Sequence, residues 1–107
     1  MTETEFENVV DTMLEKIAES IDSMEMDIDC ELASGILTLT YEDDSKMVIN
    51  RQTPMREIWV AARSGGFHYR LDDGLWKETR SSYTLSQRLN ELVGQQLRRA
   101  VSLDLGA

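Results

Sequence analysis

Carboxylates recur through the first third of the chain at two spacings. Glu7, Asp11, Glu15 and Glu19 are four apart, and Asp22 follows by three. On a helix, neighbours at that spacing lie about 6 Å apart along one side. Asp27, Asp29 and Glu31 are two apart. On a strand that spacing puts them on one face, about 6.7 Å from each other. Lys16 is the one base among the first 31 residues, against eleven acids, so this segment carries −10. Residues 32–107 hold nine acids and ten bases, and the net charge of the whole chain is −9. The acidity is therefore local.

Hard cations take carboxylate oxygens, and an open row of them binds weakly, through few ligands per ion. On this reading Asp11, Glu15, Glu19, Asp22, Asp27, Asp29 and Glu31 are the candidate metal ligands. The same field would draw in a basic partner protein. Two ordinary explanations stand beside these: a solvated helix face, and an edge strand charged against aggregation. Ordinary surfaces intersperse signs, however, and Asp and Glu are poor strand formers. Each strand pair costs roughly 0.6 kcal/mol in water and about 2–2.5 kcal/mol at an effective dielectric of 20. Nucleic acid is not an expected partner, because phosphate contacts need a basic surface. One cysteine and one histidine exclude a closed zinc site, and a single thiol suits a reducing compartment. No nucleophile–His–acid pattern, no phosphate-cradling glycine loop and no apolar pocket for a raised carboxyl pKa is present, so no enzyme is expected. A membrane span would need a run of about 18 apolar residues, and none occurs. The acidic start MTETEFENVV is unlike a secretory signal, which makes the cytoplasm the expected location.

The elements that would carry these rows follow from hydrophobic period. Phe6, Val10, Met13, Ile17, Ile21 and Met24 step by three or four, which predicts a helix over residues 4–24. MDIDCEL (26–32) alternates apolar and acidic, so Met26, Ile28, Cys30 and Leu32 are expected to face a core. Further strands are predicted at 36–41, 46–50, 57–62, 67–71 and 75–79, separated by short turns and by the loop around Pro54. Thr84 and Gln87 form a capping box for a second helix, striped by Leu85, Leu89, Leu92, Val93, Leu97 and Val101. Gly94 inside it costs about 1 kcal/mol relative to Ala. A meander with a helix at each end predicts an α+β two-layer sandwich. Both terminal helices would pack on one face of an antiparallel sheet of about six strands, in a single domain spanning residues 1–107. The other sheet face is left bare. Phe67, Tyr69 and Leu71 would point inward, leaving Trp59 exposed beside His68, with Asn50 and Gln52 nearby. An exposed Trp is a common interface anchor. The six methionines read as core filling.

The segment from Asp27 to Arg70 resembles bacterial frataxins, the CyaY family. The resemblance is carried by DIDCE (27–31), LTLTYEDDSK (37–46), VINRQTP (48–54), IWVAA (58–62) and GGFHY (65–69). It implies the same sandwich fold and weak, reversible binding of Fe2+ and Fe3+. It also implies a role in iron–sulfur cluster assembly, as iron donor or as regulator of the cysteine desulfurase. By position, Glu15, Glu19, Asp22, Asp27, Asp29 and Glu31 match the family's iron-binding ridge. Asn50, Gln52, Trp59 and His68 match the sheet surface used towards the desulfurase–scaffold complex. The resemblance further implies a monomer in the absence of iron. An alternative within it is a purely protein-level regulator with incidental cation binding. The link Ser23-Met24-Glu25-Met26 is shorter than the Asp-rich link of bacterial members.

Overall fold

The computed structural model of this chain describes residues 1–25, 27–103 and 105. The first helix, α1, runs Glu3–Ser23. Its start is set by Thr2, whose hydroxyl accepts from the Glu5 N–H (3.1 Å) while the Glu5 carboxylate accepts from the Thr2 N–H (2.9 Å). This capping box was not anticipated from the hydrophobic stripe. The stripe itself buries Phe6, Val10, Leu14, Ile17 and Ile21.

Six strands follow: β1 Ile28–Ala33, β2 Ile36–Tyr41, β3 Lys46–Gln52, β4 Glu57–Ala62, β5 Gly65–Asp72 and β6 Leu75–Glu78. They form one sheet in chain order, with every neighbouring pair antiparallel. α1 packs on β1 to β3, and the second helix, α2 (Leu85–Leu97), packs beside β6. Between helices and sheet lie Leu37, Leu39, Met47, Ile49, Ile58, Val60, Tyr69 and Trp76. Trp76 meets Phe6 edge-on, with ring centroids 6.2 Å apart. Among the described residues no helix is long and apolar enough to cross a membrane.

Several expected core residues are only partly buried or are exposed, although Cys30 and Phe67 still pack against the core. Leu32 is 40% exposed. It sits on an edge strand, with a neighbour on one side only, and lines an open groove with Asp11 and Glu15. Cys30 is half-buried, and Met26 lies outside the described residues. Leu71 borders an open groove with Val9 and Met13, and Phe67 is half-buried beneath the Arg88 guanidinium, 4.6 Å from its ring centroid. Met47 fills the core as expected, and Met13 packs against it, but Met1, Met24 and Met55 are exposed.

The capping box of α2 forms as its sequence predicts. Its end is earlier than the stripe implied. Arg98 takes a left-handed conformation (φ 57°, ψ 39°) and the chain turns back. The Arg99 N–H donates to the Gly94 carbonyl (3.1 Å), and the Leu103 N–H donates to Asn90 Oδ1 (2.6 Å). Leu103 and Leu105 then enter the core. A Cβ on Gly94 would stand 3.0 Å from the Arg99 carbonyl oxygen, so the glycine that weakens the helix admits the returning chain.

α2 is tied to the sheet by a buried carboxylate. Glu78 accepts from Arg88 Nε (2.8 Å) and Nη2 (3.0 Å), from the Tyr69 hydroxyl (2.6 Å) and from Ser81 Oγ (2.6 Å). Burial pushes its carboxyl pKa up, but these donors outweigh burial and hold it at about 2. Breaking one side of such a pair strands a buried charge, so Arg88→Ala is expected to destabilise the fold by about 3 kcal/mol, measurable by urea unfolding. The linkage has a definite sign. A lowered folded pKa gives stability that is full above the ordinary value of 4.5 and is lost as pH falls towards 2. Glu78→Gln is expected to reduce the loss of stability over that interval, and a set of denaturation curves across it checks this.

Candidate functional site: an acidic sheet edge and an aromatic sheet face

In β1 the alternation sends Ile28 and Cys30 to the helix side, opposite Tyr41 and Leu39. Asp29 and Glu31 therefore face away from the helices, opposite Thr40 and Thr38. The helix acids belong to the other layer. The two rows flank the free edge of β1 from both sides instead of sharing one plane. Cys30 lies between them. Its thiol pKa is pushed up to about 11 by burial and then by the charges of Asp22 and Asp29. One thiol thus senses a carboxylate from each row. It is correspondingly unreactive at neutral pH.

Asp27 stands just before β1 and lines a shallow depression with Glu25, Glu42, Leu97 and Arg99. Asp11 has a different surrounding. Its Oδ1 accepts from Arg51 Nη1 at 2.7 Å, and Arg51 Nη2 lies 3.6 Å from Glu7. Thr53 Oγ1 also donates to Glu7 (3.3 Å). The N-terminal end of the helix row is therefore partly neutralised from β3, one guanidinium facing two carboxylates. Arg51 was not anticipated as part of this surface. Its signal was its place in the β3 alternation, on the same side as Met47 and Ile49 at the end of the strand. A base there has to meet α1.

Among the described residues, Glu15, Glu19, Asp22, Asp27, Asp29 and Glu31 form no ion pair. Among those same residues no three Asp, Glu, His or Cys side chains come together closely enough to hold a metal ion. The chemistry available is that of an open row: one or two carboxylates per cation, with water completing the shell.

On the uncovered sheet face, Asn50, Trp59 and His68 stand in one row across β3, β4 and β5, and Gln52, Glu57 and Arg70 form the next. Trp59 and His68 stack, with centroids 4.2 Å apart and planes 9° from parallel. Trp59 is half-buried by this contact, less exposed than the alternation alone suggested. The structure brings Asn50, Gln52, Trp59 and His68 together as expected. It adds Glu57, whose Oε1 accepts from Trp59 Nε1 at 2.7 Å. The spacing of two between Glu57 and Trp59 was the available signal.

The frataxin-like domain family matches residues 1–99 of this chain. The iron–sulfur cluster assembly protein CyaY of Vibrio atlanticus is 45% identical over 91 residues, covering 85% of this chain and 88% of that protein. The protein of the same name from Ralstonia nicotianae is 44% identical over 100 residues, covering 90% and 88%. The frataxin structure from Psychromonas ingrahamii superposes with a TM-score of 0.89 at 31% identity, over 95% of this chain and 97% of that one. Trimeric frataxin from the yeast Saccharomyces cerevisiae, in complex with ferrous iron, superposes with a TM-score of 0.74 at 28% identity, over 84% and 86%.

Unpaired like charges along one edge repel, and salt screens them. The melting temperature is therefore expected to rise by several degrees with added salt or divalent cations. Replacing Asp29 and Glu31 with Asn and Gln is expected to flatten that dependence. Thermal melts of both proteins at low and at physiological ionic strength check this, and a wild-type melt indifferent to salt would exclude a strained edge.

Proposed function

This chain belongs to the frataxin-like family, and we propose that it is a non-enzymatic, iron-binding protein of iron–sulfur cluster assembly. Residues 1–107 act as one unit, working in the cytoplasm and monomeric without iron. The observation that carries this reading is the pair of carboxylate rows flanking β1, unpaired by any base among the described residues beyond the Arg51 contacts with Glu7 and Asp11. Glu15, Glu19, Asp22, Asp27, Asp29 and Glu31 take Fe2+ or Fe3+ weakly and reversibly. Asp11 contributes less, because a cation there must first displace a guanidinium. The acidic edge and the face of Asn50, Gln52, Trp59 and His68 dock on the cysteine desulfurase and its scaffold partner, where the protein donates iron or regulates the desulfurase.

A second reading makes the protein a regulator that acts through docking alone, with cation binding incidental. The open geometry favours it, since no three ligand-type side chains converge among the described residues. The two readings separate in one experiment. Asp27→Asn, Asp29→Asn and Glu31→Gln are combined, and iron-induced NMR line broadening and desulfurase affinity are measured in parallel. Iron donation predicts that broadening confined to residues 15–31 is lost together with the desulfurase interaction. Broadening that maps elsewhere in the wild type removes the iron site, and desulfurase affinity that survives at physiological salt removes docking through the edge.

A further inference from the structure

Glu57 is a buried acid on the sheet face that carries Trp59, and no step proposed above uses it. Its side chain is 4% exposed. It stands two residues before Trp59 on β4, so the two side chains leave the strand on the same side. Each carboxylate oxygen has its own donor. Oε1 accepts from Trp59 Nε1 at 2.7 Å, and Oε2 accepts from Arg70 Nε at 2.7 Å. His68 Nδ1 lies 3.8 Å from Oε1 while its ring stacks on the indole. The indole is thus held at its nitrogen by the carboxylate and along its ring by the imidazole. Arg70, well exposed, holds the carboxylate in turn.

We propose that Glu57 is a positioning residue for the partner-binding face, fixing the Trp59 indole against His68 so that it meets a partner through its ring surface. The proposal rests on the reading of that face as a docking surface. Tryptophan has a single donor. With that donor satisfied inside the molecule, Trp59 offers a partner carbon surface and a π face, which suit an apolar side chain or an Arg or Lys side chain. A buried ion pair adds little stability over apolar residues of the same volume. A fixed ring, by contrast, loses less freedom when it binds.

The test uses Glu57→Met, which fills the same length but accepts no hydrogen bond, and Glu57→Gln, whose amide oxygen still accepts one. The indole N–H resonances are read by 1H–15N NMR. Trp76, fully in the core, reports that each variant is folded. Glu57→Met is expected to move the Trp59 resonance, leave that of Trp76 in place and weaken desulfurase binding about tenfold. Glu57→Gln is expected to restore both the resonance and the affinity. In a Trp59→Phe background, which lacks the indole donor, Glu57→Met is expected to cause no further loss. An unmoved Trp59 resonance in folded Glu57→Met, or an equal loss of affinity in the Trp59→Phe background, overturns the proposal. Trp59→Ala binding the desulfurase as tightly as wild type instead overturns the docking reading, while the resonance still decides whether Glu57 positions the ring.

Discussion

Because both helices lie on one side of the sheet, each strand has to satisfy two environments at once. Residues handed to α1 and α2 are apolar almost throughout, from Leu37 and Leu39 to Ile58 and Val60. Their alternates have to be stable in water, in register with neighbours on the next strand. That requirement accounts for Thr38 and Thr40 in β2 and for the row of Asn50, Trp59 and His68. It also accounts for how Trp59 lies. A large ring on a bare sheet is stable there when its edge is hydrogen-bonded and one of its two faces is covered, and Glu57 and His68 provide both. The surface available to another protein is therefore a by-product of a core with only one lid.

Two groups of carboxylates in this molecule stand in contrast. Glu57 and Glu78 are buried and fully engaged by arginines and by aromatic donors. The six along β1 and the adjoining part of α1 have no cationic partner among the described residues, although the rest of the chain carries ten bases. Arginines hold both buried acids and the Glu7–Asp11 end of the helix row, while among the described residues no base pairs with the six along β1. Stability alone would favour interspersed signs. Leaving these six unpaired keeps the edge at higher energy than interspersed signs would.

Local periodicity was enough to read most of the fold. The stripe of α1, the α2 cap at Thr84 and Gln87, and β4 at Glu57–Ala62 all stand where their residues predicted. The Asn50–Trp59–His68 row followed from the same alternation. What escaped depends on contacts between distant parts of the chain. Arg51 reaches Asp11 across 40 positions. The return of residues 98–103 and 105 onto the core ended α2 before Val101, and its one local trace was a glycine that looked like a defect. Leu32 has an inward-facing register position but no neighbour beyond the edge, a fact of sheet order that alternation does not contain. The two acid rows were legible as rows. That they approach β1 from opposite sides required the register.

Gly35 closes the β1–β2 turn with φ at 77°, and a Cβ there would come within 2.8 Å of the Arg51 guanidinium carbon. The same Arg51 takes its backbone hydrogen bond from this turn, donating to the Gly35 carbonyl at 3.0 Å. Positions 11, 35 and 51 are therefore one mechanical unit, although they come from a helix, a turn and a strand. A side chain at 35 would shift the guanidinium that faces both Asp11 and Glu7, and so change how far that end of the acidic row is compensated. Across descendants of this sequence, drift at those three positions is expected to be correlated, so that the compensation of that end of the row is inherited through a glycine that carries no charge at all.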